Sequence, residues 1–132
     1  MACRLSEIVV DARDPEALAA WWAEVLGYRV LGREEGAVEI GPDAGFGGAA
    51  PTLVFAPVAE PTPGKPRLHL DLSATDRDQD AELERLLGLG AARADVGQRE
   101  GRAGADEGVS WHVLADPEGN PFCLLRTRLD PL

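Results

Sequence analysis

The residues able to do chemistry sit in alternating runs. In Leu68-His69-Leu70-Asp71-Leu72 three leucines alternate with an imidazole and a carboxylate. The side-chain period of two in a strand puts His69 and Asp71 on the face opposite the leucines. An imidazole beside carboxylates suits proton transfer near neutral pH, as ligand or general base. A histidine merely hydrogen-bonded to Asp71 or Glu7 would occupy the same place. Residues 5–11 repeat the pattern, with Ile8 and Val10 on one face and Glu7, Val9 and Asp11 on the other. Glu7 is thus the counterpart of His69, and the two are the candidate catalytic groups. Further along, Trp111 and Val113 alternate with His112 and Leu114, so either Trp111 or His112 looks toward the same side. Trp111 is taken as a ligand-lining side chain, and His112 as a partly exposed histidine.

These groups need elements to position them. Leu18, Trp21, Trp22, Val25 and Leu26 recur at helical spacing, with Asp14 as N-cap, Pro15 in the first turn and Gly27 at the exit. A second helix follows Ser73-Ala74-Thr75-Asp76, with Leu83, Leu86 and Leu87 inward and Asp78, Asp80, Glu82, Glu84 and Arg85 on its wet side. The order repeats in register: Glu7 precedes Asp14 by seven residues and His69 precedes Asp76 by seven. The offset between halves is 62 at those positions and 63 from Gly27 to Gly90.

Each helix is followed by three strand-like runs, at residues 28–31, 37–40 and 52–56, then 92–96, 110–115 and 122–127. The expected fold is therefore α+β, with two tandem βαβββ modules at about 5–57 and 67–128 joined by a proline-rich link at 57–66. One sheet covered by one helix leaves a bare face. Two modules together form a curved, mostly antiparallel eight-stranded sheet around a cleft for a small-molecule ligand, which Glu7, His69 and Asp71 would line. Asp116-Pro117-Glu118-Gly119-Asn120 has the residues of a tight turn, so Asp116 is read as a turn residue. The glycine-rich stretches at 41–50 and 97–108 read as mobile loops. Gly45-Phe46-Gly47-Gly48 is a lid or hairpin loop, because no helix start or Lys-Ser/Thr pair follows it to cradle phosphate.

With 23 acidic residues against 13 basic ones the formal charge is −10, which repels polyanions and argues against nucleic acid. No apolar run approaches the ~20 residues needed to cross a bilayer, so no membrane span is expected. The start lacks the pattern of a secretory signal, so a cytoplasmic location is expected. Cys3 and Cys123 form no C-x-x-C pair and are expected as reduced thiols.

The strand followed by Asp14-Pro15 and a helix, its echo at Arg67-Leu68-His69-Leu70-Asp71-Leu72, and Asp116-Pro117-Glu118-Gly119-Asn120-Pro121-Phe122-Cys123 together resemble the vicinal oxygen chelate superfamily. More narrowly, they resemble its glyoxalase-like proteins, over about residues 5–127. The resemblance implies one divalent metal held by first-strand and last-strand residues. It places Glu7 and His69 at first-strand ligand positions and Cys123 where such enzymes carry a last-strand Glu. The fourth position falls within 53–55, where no side chain can ligate. The cofactor expectation is thus either no cofactor or a divalent metal ion, with Asp71, Trp111 and Cys123 as ligand-binding residues. Two functions follow from the resemblance. One is isomerase- or lyase-type proton transfer next to a carbonyl; the other is sequestration of a drug or metabolite without turnover. A homodimer is the expected assembly, because exposed sheet edges invite pairing.

Overall fold

The computed structural model describes residues 2–64, 66–94 and 111–132. The chain divides into two compact units, Met1–Pro63 and Gly64–Leu132. The architecture is α+β, two βαβββ units in tandem, with the eight strands in two four-stranded sheets.

The first unit runs β1 (Glu7–Ala12), α1 (Pro15–Leu26), β2 (Arg29–Glu34), β3 (Ala37–Gly41) and β4 (Thr52–Pro57). Its strand order is β1-β4-β3-β2, with β1 parallel to β4 and the other neighbours antiparallel. A parallel pair needs a long crossover, and α1 with the β2–β3 hairpin supplies it. Helix α1 begins and ends where local chemistry dictates. The Asp14 carboxylate accepts from Ala17 N at 3.1 Å, Pro15 needs no partner in the first turn, and Gly27 closes the helix at φ 68°. Its buried residues Leu18, Ala19, Trp22 and Val25 meet a sheet face formed by Val38, Ile40, Leu53 and Phe55. Trp21 stands edge-on to Trp22, ring centroids 5.1 Å apart.

The connection from β3 to β4 is tied down: the Arg4 guanidinium donates to Gly47 O at 3.1 Å and to Gly48 O at 2.6 Å. A side chain at Gly48 would meet the Ala44 methyl at 2.9 Å, so the loop folds tightly on itself there. The other glycine-rich stretch, 97–108, lies outside the described residues.

The second unit runs β5 (Leu70–Leu72), α2 (Gln79–Gly88), β6 (Ala92–Arg93), β7 (Trp111–Ala115) and β8 (Pro121–Leu125), in the order β5-β8-β7-β6. Strand β5 is parallel to β8 and starts three residues later than the alternation predicts. Its first ladder partner is Phe122, and the next position back on β8 is Pro121, which has no N–H to donate. His69 therefore lies just before the strand, and Leu68 is 86% exposed instead of sharing the leucine face. Helix α2 also departs from expectation. Its N-cap is Asp78, whose carboxylate accepts from Ala81 N at 2.9 Å, two residues beyond Asp76. That start sets the helical phase so that Glu82 joins Leu83 and Leu86 on the buried side, while Leu87 is exposed. The Glu82 carboxylate is neutralised by Arg85 at 2.7 Å and Arg77 at 3.4 Å, which makes its burial tolerable. Strand β6 ends at Arg93, and the remainder of the expected strand from 95 onward lies outside the described residues, as does Ser110.

Asp116 builds the turn between β7 and β8. It accepts from Glu118 N and Asn120 N, both at 2.9 Å, and from Asn120 Nδ2 at 2.8 Å, and is 4% exposed. Asp116→Ala is expected to lower stability by roughly 2–3 kcal/mol, because three donors lose a charged acceptor at once. The urea midpoint measures this; a shift corresponding to a few tenths of a kcal/mol would contradict it.

Candidate metal and ligand site

The alternation that places the leucines also places the site. Strand pairing sets Leu70 opposite Phe122, Asp71 opposite Cys123 and Leu72 opposite Leu124. Directly paired residues project to the same side, so Asp71 and Cys123 share the face away from α2. His69, just outside the ladder, turns back onto it: its Nε2 is 3.2 Å from Asp71 Oδ1. The three side chains each offer a ligand atom, and these atoms all lie within 4.8 Å of one another. Among the described residues this is the one group of three such side chains. The group has a depth gradient: the Cys123 residue is 2% exposed, while the side chains of His69 and Asp71 are 33% and 50% exposed. Cys123 is the buried member, and the other two are partly exposed.

Burial, then the Asp71 charge and a hydrogen bond to Asp71, push the Cys123 thiol up to about 11. A pH dependence follows. An unfolded cysteine loses its proton near 9.0 and the folded one near 11, so between those values the native state keeps a proton that the unfolded state has released. Stability therefore falls as pH rises, by on the order of 2 kcal/mol between about pH 8 and about pH 11. Tyr28, whose hydroxyl donates to Pro51 O at 3.1 Å, is also raised by burial and adds a loss of the same sign. The difference between wild type and Cys123→Ala isolates the thiol. Urea titrations of both at the two pH limits should diverge by that amount; parallel curves would contradict it.

Trp111 lies on the same face, because it pairs with Leu125 while Val113 pairs with Cys123. His112 takes the other face, opposite Leu124, and is 7% exposed. It is a buried histidine on the α2 side, not the partly exposed one expected, because its strand is interior to the sheet, between β6 and β8.

A profile of the glyoxalase-like domain matches residues 7–125. The chain belongs to the glyoxalase-like family. Solved structures described as glyoxalase/bleomycin resistance protein/dioxygenase or fosfomycin resistance proteins share this fold. A family enzyme from Burkholderia phytofirmans PsJN superposes with TM-score 0.65 at 17% identity, covering 92% of this chain and 97% of that one. The fosfomycin resistance protein FosX from Mesorhizobium loti gives TM-score 0.68 at 19% identity over 98% and 96%. FosX from Listeria monocytogenes, in complex with Mn(II) and sulfate ion, gives 0.69 at 16% over 98% and 94%. At these identities the likeness is one of fold. A comparison with curated proteins finds no match. No helix among the described residues is long and apolar enough to cross a membrane.

Glu7 occupies the corresponding place in the first unit of this glyoxalase-like chain. It pairs with Thr52 on β4, on the exposed side of β1, and lines a concavity of about 390 Å³ with Glu39, Val54 and Gly32. Sequence reasoning passed over Glu39. It alternates with Val38 and Ile40, which face α1, so it projects to the same side as Glu7, and its Oε1 is buried without a hydrogen-bond partner among the described residues. The alternation in Ala37-Val38-Glu39-Ile40 was the available signal. The grouping of Asp71 with Cys123 had no local signal, because their adjacency comes from the β5–β8 register.

Proposed function

We propose that this glyoxalase-like protein binds a small organic molecule over the His69–Asp71–Cys123 group, holds one divalent ion there, and transfers a proton next to a carbonyl. The observation that carries the reading is the convergence of three ligand atoms within 4.8 Å, one on a buried side chain and two on partly exposed ones. An imidazole, a carboxylate and a thiolate are a donor set suited to zinc, with room for a further ligand. The thiol favours zinc over the Mn(II) bound by the Listeria neighbour. When bound, the ion supplies Lewis-acid polarisation of a carbonyl.

The side chains do the rest. Cys123 is the buried anchor once its proton has left, and His69 acts as a ligand through Nε2. Asp71 spends one oxygen on the group and keeps the other, half-exposed, to accept the proton. Glu7, with Glu39 beside it, is the polar group lining the first unit's own concavity. The raised thiol favours a second reading, a binder that sequesters its ligand without turnover, since no thiolate exists until that proton is removed. His69 and Asp71 are then polar lining groups alone. A homodimer is proposed on the strength of β2 and β6, which end their sheets in unpaired edges within the described residues.

The test is protein purified without a histidine tag and analysed for metal, then titrated with Co(II). One equivalent bound, with a thiolate-to-cobalt charge-transfer band, is the expected result. Sub-stoichiometric uptake with no such band would remove the metal reading. Tight, unreacted ligand in metal-free protein would favour sequestration.

A further inference from the structure

Trp111 carries an unmet requirement. Its indole Nε1 is wholly buried yet has no hydrogen-bond partner among the described residues. Leaving a buried donor unmet is costly, and native structures rarely tolerate it without a reason. The register locates the donor's ring. Trp111 pairs with Leu125 and Val113 pairs with Cys123, which in turn pairs with Asp71, so these five side chains share one face of the second sheet. An indole N–H donates only, so whatever completes it must bring an acceptor.

We propose that Trp111 is the ligand-orienting donor of this face, and that the molecule it selects is a neutral carbonyl compound with an apolar body. The inference rests on the reading of this face as the ligand site, but not on a bound ion. Three observations narrow the class. The neighbours of Trp111 on the face are Val113 and Leu125, which call for apolar surface beside the acceptor. The half-exposed Asp71 carboxylate and a formal charge of −10 oppose an anionic acceptor such as a carboxylate. A cationic group brings no lone pair to an N–H. A ketone, ester or amide oxygen on an apolar frame meets all three conditions. Trp111 is therefore a specificity-determining residue, separate from the ligand group at His69, Asp71 and Cys123.

The probes are acetophenone and α-methylstyrene, which share shape and apolar area but differ by a carbonyl oxygen against a methylene carbon. In ¹⁵N-labelled wild-type protein, acetophenone should shift one indole N–H resonance, the one missing from the Trp111→Phe spectrum. It should bind about fivefold more tightly than α-methylstyrene, the worth of one hydrogen bond. In Trp111→Phe, which keeps a ring at the position, that preference should vanish. Absence of acetophenone binding overturns the proposal. So does equal binding of the two probes by wild type, a comparison that needs no variant to fold. Retention of the fivefold preference in Trp111→Phe does the same. Failure of the metal reading is seen separately, as loss of the Co(II) band in wild type while the probe preference persists.

Discussion

Phe122→Ala is expected to cost about 3–5 kcal/mol, a large part of the total for a domain of this kind. Phe122 is 0% exposed and is the largest fully buried side chain of its unit among the described residues. It lies on β8, with Leu70 opposite on one side and Leu114 on the other, and shares the α2-facing side with Leu124. Above it the helix contributes only Leu83 and Leu86 as buried apolar residues, where α1 sets Leu18, Ala19, Trp22 and Val25 over its own sheet. A thin apolar layer has little to move into a void, so the cavity term is not relieved by collapse. Phe122→Leu keeps most of the volume and should lose no more than about 1.5 kcal/mol. Urea denaturation with an unchanged slope measures both. A loss below about 2 kcal/mol for the alanine variant would show that neighbouring groups fill the space.

How far the sequence alone reaches is decided by the range of each interaction. Helix α1 was legible in full because its start and stop are local: Asp14 caps Ala17 three residues on, and Gly27 takes the left-handed turn at the exit. The opposed faces of Ile8 and Val10 against Glu7 and Val9 were legible for the same reason, since period-two alternation needs no partner. Strand β5 was misjudged at its start because the limit is set on another strand, by a proline whose place opposite His69 follows only from register. Glu82 was misjudged because a carboxylate reads as wet until its two arginines are seen on it. In the candidate site, alternation paired His69 with Asp71. The depth of Cys123 was visible in Phe122-Cys123-Leu124-Leu125, but its contact with Asp71 joins residues about fifty apart in sequence.

Cys123→Ser is expected to weaken zinc binding by at least about 100-fold and to flatten its pH dependence. Removing a group that only orients a ligand costs about 10–100-fold, and a ligand atom itself should cost at least the upper figure. The pH signature is the more specific part. The thiol is held protonated up to about 11, so an ion must displace that proton to gain a thiolate. Each unit of pH below that value then costs about tenfold in apparent affinity for one released proton. Wild-type affinity should therefore rise about tenfold per unit between about pH 7 and about pH 9. A serine hydroxyl does not ionise in that range, so the variant should lose this component. Asp71→Asn should also bind more weakly, because it removes a charged oxygen, yet it keeps the slope because Cys123 remains. The two variants thus separate loss of a ligand from loss of the titrating ligand. Equal slopes in wild type and Cys123→Ser would mean that the thiol never joins the ion. The group at His69, Asp71 and Cys123 would then be a hydrogen-bonded cluster at the mouth of a binding face.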